Sequence, residues 1–143
     1  VLEKNLSIMD SGKLRFVTKI KPSKKDLREL EFANKVCKFV KSNAIVITKD
    51  MSTIGIGAGQ PNRLDSCKIA IQKARIFRKN KVKNSYAASD AFFPFKDGIK
   101  TLAKAGVKTV VQPGGSLKDK EVIKEADNNK LKMILTGLRH FNH

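Results

Sequence analysis

The chain has no tryptophan, one tyrosine, two histidines, two cysteines and four prolines in 143 residues. Two cysteines are too few for a disulfide framework or a thiolate zinc site, and Cys37 and Cys67 both fall on apolar helical faces, where small buried hydrophobes belong. The histidines, His140 and His143, sit three apart in LRHFNH; that spacing could put both on one helical face, but no third ligand accompanies them at this end of the chain. A run of about 18 apolar residues, the length needed to cross a bilayer, is missing. The opening VLEKNLSIMD also lacks the basic flank and apolar block of a signal peptide. These absences predict a soluble, cytoplasmic protein without a metal. The first residue is Val1 rather than methionine, from which a longer polypeptide is expected.

Acidic residues are scarce as well: 13 Asp and Glu stand against 30 Lys and Arg, a net charge of +17. Such a surplus draws attention to nucleic acid or another polyanion. The basic residues are spread along the chain, however, and lysine outnumbers arginine 24 to 6. Only Lys73 to Asn84, KARIFRKNKVKN, is dense. Scattered lysine fits a solvated surface better than a groove-binding stripe, so nucleic acid is not the expected partner. Polyanion binding through Lys73 to Lys83 remains the alternative for the whole chain.

An apolar fraction of 41% is enough for one domain with a real core. KLRFVTKI, Lys13 to Ile20, alternates as a strand and stops at Pro22-Ser23. Ser23 with Asp26 three residues on resembles a capping box, and Leu27, Leu30, Ala33, Val36, Cys37 and Val40 then recur on one helical face. Ala44 to Thr48 and Thr53 to Ala58 read as a hairpin, and Asn62 to Arg78 as a second helix. Tyr86 to Ser89 is a weak strand, Asp97 to Ala105 a helix ended by Gly106, and Val107 to Gln112 a strand. Ser116 with Asp119 caps a further helix, and Lys132 to Thr136 is the last strand. Strands alternating with helices, plus a hairpin, give an α/β layered domain with a mixed sheet.

Four stretches could carry chemistry. GIGAGQ, Gly55 to Gln60, has close glycines before a helix but matches neither phosphate-loop template; it fits equally a pleated face kept bare for close packing. Arg63, on the first turn of that helix, is either a fork for phosphate or carboxylate or an ordinary surface arginine. QPGGSLKD, Gln112 to Asp119, places a glycine turn and helix start where ligands settle in open α/β sheets, and its amides could hold a carboxylate or carbonyl. SDAFFPFKD, Ser89 to Asp97, crowds three of the eight phenylalanines between two aspartates. It is either core packing or a ring-binding wall whose carboxylates read an amino-pyrimidine edge. No nucleophile-base-acid set can be assembled from these residues.

Taken in order, VKSNAIV, IGIGAGQPNR, SDAFFPFKDG, AGVKTVVQPGGSLKDKEVI and TGLRHFNH resemble one family, the bifunctional AICAR transformylase/IMP cyclohydrolases of purine biosynthesis. The likeness runs from about Phe16 to His143 and implies the carboxyl-terminal portion of the transformylase domain, of cytidine-deaminase-like α/β fold. It implies transfer of a formyl group from 10-formyltetrahydrofolate, the cosubstrate, to the 5-amino group of AICAR, giving FAICAR, with a separate domain closing the ring to IMP. By the same resemblance Asn43, Arg63, Phe92 and Arg139 contact AICAR, and Leu64, Asp97, Ser116 and Leu117 contact the folate. The family's catalytic Lys-His pair belongs to an earlier segment with no counterpart in this sequence. Family sites are shared across a homodimer, so this chain alone is expected to bind substrates weakly and to turn over nothing.

Overall fold

The computed structural model describes residues 13–138. In chain order the elements are β1 (Arg15–Phe16), α1 (Lys24–Cys37), β2 (Ile45–Lys49), β3 (Ser52–Gly57), α2 (Arg63–Phe77), β4 (Ser85–Ser89), α3 (Asp97–Ala105), β5 (Val107–Gln112), α4 (Asp119–Asn128) and β6 (Lys132–Leu135). The six strands lie in the order β1-β6-β5-β4-β2-β3. β4, β5 and β6 run parallel, whereas β1, β2 and β3 pair antiparallel with their neighbours. The α/β class with a mixed sheet is the one expected. No helix among the described residues is long and apolar enough to cross a membrane.

The period of two along β2 divides the core into halves. Ile45 and Ile47 face a cluster that includes Cys67, Ala70, Leu102 and Val122 from α2, α3 and α4. Val46, between them, joins Leu30, Ala33 and Cys37 of α1 on the other face. Each of the Ile, Leu and Val side chains among them, removed fully from water, contributes about 1.5–3 kcal/mol. α1 begins with the expected capping box, in which the Asp26 amide donates to Ser23 Oγ and the Ser23 amide to Asp26 Oδ2. Asp26 does more than cap: it also accepts from the Tyr86 hydroxyl at 2.6 Å and from Lys132 Nζ at 2.8 Å. Burial alone would raise its carboxyl, but these donors and the Ser23 amide overrule burial and hold it at about 2. Burial, and then the Asp26 carboxylate, push the Tyr86 phenol up.

Three elements differ from expectation. The first strand shrinks to Arg15–Phe16, because Thr18 Oγ1 takes the Met133 amide and the Lys19 amide donates to Asp127, drawing the chain off the sheet. The strand expected at Tyr86 to Ser89, by contrast, does form as β4, buried and paired on both edges, where small residues let helices approach. Ser116 does not cap α4: the helix starts at Asp119 with no side-chain cap. The bonding runs the other way, the Asp119 carboxylate accepting from the amides of Gly115 and Ser116. Val40 lies past the end of α1 yet still packs against the α1 half of the core.

Candidate functional site

The parallel strands bring the ends of β4, β5 and β6 to one edge of the sheet. Ile45, at the start of β2, pairs with Ser89 and with Gly57, which places the loop before β2 and the loop after β3 at that same edge. Segments 42–44, 58–62, 90–96, 113–118 and 136–138 therefore open together, where ligands settle in open α/β sheets. Asn43, Arg63, Leu64, Phe92, Asp97, Ser116 and Leu117 are all on these segments or on the first turn of the helix that follows. Arg139, His140 and His143 lie outside the described residues.

At the start of α2 the guanidinium of Arg63 is buried, not on the surface. Nη1 donates to Asp90 Oδ1 at 2.6 Å and to Ser89 Oγ at 2.9 Å, and Nη2 donates to Asn43 Oδ1 at 2.8 Å. The Asn43 amide nitrogen in turn donates to the carbonyls of Gln60 and Pro61. Asp90 also accepts from the Ala44 amide and the Ser42 hydroxyl. The guanidinium is therefore not the surface arginine that was one of the two readings; Nη1 is taken by a carboxylate of the protein itself and Nη2 by an amide oxygen.

One residue further on, Leu64 turns to a cleft of about 270 Å³ between the starts of α2 and α3, lined also by Arg63 itself, Phe93, Phe95 and Asp97. Asp97 is exposed in the first turn of α3, where the helix dipole favours a carboxylate. Phe95 is 62% exposed at the rim, whereas Phe93 is buried at 1% and packs closely on Gly98. Phe92, half-buried, is on the same loop but outside the cleft lining. Core and wall therefore alternate within SDAFFPFKD. Ser116 and Leu117 are not in this cleft: Ser116 is half-buried, Leu117 wholly exposed, and their loop borders a separate hollow with Arg15 and Leu135. The amides expected to be open to a ligand are engaged, since those of Gly115 and Ser116 reach the Asp119 carboxylate at 2.7 and 3.1 Å.

GIGAGQ resolves as the bare face. A Cβ at Gly55 would overlap the carbonyl oxygen of Ala70, and one at Gly57 that of Ser66, so α2 lies directly on β3. Burial pushes the Cys67 thiol up to about 12 and raises Cys37 as well, leaving neither a nucleophile near neutrality. Among the described residues no three His, Cys, Asp or Glu side chains are grouped to hold a metal.

The model of the family described as the AICARFT/IMPCHase bienzyme matches residues 1–73 of the 143. The chain belongs to this family. Relatives named bifunctional purine biosynthesis protein PurH include one from Bartonella henselae, 51% identical over 95% of this chain and 26% of its own length. Another, from Nostoc punctiforme, is 52% identical over 95% of this chain and 26% of its own. The chain spans about a quarter of the length of these curated relatives. Among solved structures, a diaminohydroxyphosphoribosylaminopyrimidine deaminase/5-amino-6-(5-phosphoribosylamino)uracil reductase from Thermotoga maritima is 20% identical, covering 74% of this chain and 33% of that one, with a TM-score of 0.49. The layered α/β description rests on the strand order itself rather than on that likeness.

Within this family member, sequence reasoning passed over Ser89 and Ser42, and it offered Asp90 as a ligand-reading carboxylate, whereas Asp90 is buried and taken up by Arg63, the Ala44 amide and the Ser42 hydroxyl. No local signal marked Asp90 as buried, because its partners Ser42, Ala44 and Arg63 come from segments distant in sequence. The Asp26–Tyr86–Lys132 cluster was not legible, because its members come from three distant segments.

Proposed function

We propose that this chain is the carboxyl-terminal portion of an AICAR transformylase domain and supplies binding residues for AICAR and 10-formyltetrahydrofolate. The observation that carries the proposal is the convergence of Asn43, Arg63, Leu64 and Asp97 at the carboxyl edge of the sheet in a chain of this family. The cleft between α2 and α3 offers an apolar wall from Leu64 and Phe95 and one exposed carboxylate, Asp97. A flat ring seated there can stack on the aromatic side, while Asp97 accepts paired hydrogen bonds from an amino-pyrimidine edge such as a pterin's. AICAR is assigned to the neighbouring edge formed by Asn43 and Arg63, with Phe92 and Arg139 carried over from the resemblance.

The reaction asks for more than this chain holds. The AICAR amine is a weak nucleophile because its ring and carboxamide withdraw electrons, so a base and a stabiliser for the developing oxyanion must supply rate beyond positioning. A Lys-His pair matching the family motif is not found in this sequence, and that pair is assigned to another segment of the family's polypeptide, facing this edge across a homodimer. The chain alone therefore binds and does not turn over.

Calorimetric titration of the purified chain with AICAR and with 10-formyltetrahydrofolate, alongside a formyl-transfer assay, tests the proposal. Saturable binding of both with no FAICAR formed is the expected result. Turnover by the chain alone would overturn the assignment of the base to another segment. Strongly salt-dependent binding of a nonspecific oligonucleotide, with no saturation by either small molecule, would replace the proposal with the polyanion reading of the basic surface.

A further inference from the structure

We infer that Asp90 is the positioning residue of the nucleotide edge, the buried anchor that fixes the orientation of both Arg63 and Asn43; this rests on the assignment of those two residues to AICAR. Asp90 has no exposed surface, and both of its carboxylate oxygens accept hydrogen bonds. Oδ1 takes Arg63 Nη1 and the Ala44 amide, and Oδ2 takes the Ser42 hydroxyl at 2.5 Å. Ser42 and Ala44 are the residues on either side of Asn43. One carboxylate thus clamps the chain before and after Asn43 and, through Arg63 Nη2, its side-chain oxygen as well.

The consequence is directional. With Oδ1 of Asn43 held by Arg63 and its amide nitrogen held by two carbonyls, the Asn43 side chain has a single orientation, as does the guanidinium plane. A ligand meeting this edge finds donors and acceptors already aimed, so binding does not carry the cost of ordering them. The α2–α3 cleft is also bordered by Arg63, but its Leu64 and Asp97 take no part in these bonds, so a loss at Asp90 weakens the ligand of the Asn43–Arg63 edge more than the ligand of the cleft.

Asp90→Asn keeps the shape and removes the charge. NMR of the unliganded chain should show the Asn43 side-chain amide and the Arg63 guanidinium at dispersed, slowly exchanging positions that collapse toward free-amide values in the variant. AICAR affinity should fall at least about tenfold, as for loss of hydrogen bonds to a charged group, while folate affinity falls severalfold less. A folded variant in which the Asn43 and Arg63 signals do not move overturns the inference, and so does equal weakening of both ligands. Should Asp90→Asn fail to fold, Ser42→Ala removes one of the bonds to Oδ2 and leaves the ion pair; unmoved Asn43 signals there also overturn it. If the unaltered chain binds no AICAR, the functional assignment falls while the NMR comparison still decides whether Asp90 sets these two side chains.

Discussion

Arg63 and Leu64 are consecutive residues at the start of α2, and both border the α2–α3 cleft, but their side chains are engaged in opposite ways. Arg63 is the centre of a closed polar knot in which each partner is another part of the protein. Leu64 opens on a cleft whose polar member, Asp97, is exposed. The two aspartates that bracket the phenylalanine-rich loop divide in the same way, Asp90 into the knot and Asp97 into the cleft. The difference teaches that rigidity and accessibility are separated by a single step along a helix: the knot fixes where α2 begins, and the cleft is what that fixed beginning leaves free.

Breaking the knot has the largest expected effect. Asp90→Ala leaves a buried guanidinium without its counter-charge and is expected to cost about 3–5 kcal/mol in urea unfolding, whereas Asp90→Leu with Arg63→Met should recover most of that loss. Next comes the seat of α2 on β3. Gly57→Ala puts a Cβ into the Ser66 carbonyl and is expected to cost about 1–3 kcal/mol by thermal unfolding, displacing knot and cleft together.

The Asp26 cluster under α1 tests whether the knot is independent of the other face of the sheet. The folded chain holds this carboxyl at about 2 against an ordinary 3.8. Its stabilisation, about 2 kcal/mol, is therefore complete above about pH 4 and is lost as the pH falls through 2. Asp26→Asn should flatten the acid limb of the stability profile without altering ligand binding. The smallest expected effect is at the cleft. Asp97→Ala should change stability by no more than about 0.5 kcal/mol, yet weaken folate binding more than AICAR binding. Equal loss of both ligands would erase the distinction between knot and cleft.

Much of this fold is written locally. The capping box at Ser23, the glycine stop after Ala105 and the hairpin of β2 and β3 each depend on residues close together in sequence, and each formed where expected. The features with a faint or misleading local signal depended on partners far away in sequence. Tyr86 to Ser89 looked weak as a strand because small residues carry little propensity, and only pairing on both edges makes them the middle of a sheet. The amides after Gly114 looked free because nothing local says that Asp119 will fold back onto them. The residues of the candidate site were legible as a set; which of them touch one another was not.

The sequence by itself determined the order and type of the elements, the burial of both cysteines and the family resemblance carried by its motifs, because these follow from side-chain periodicity and from short spacings along the chain. The tertiary structure alone decided that Asp90 and Asp97, seven residues apart on one loop, have opposite roles. Burial and hydrogen-bond closure depend on which distant segments arrive beside a residue. Arg63 comes 27 positions ahead of the aspartate it pairs with, across a helix and a strand.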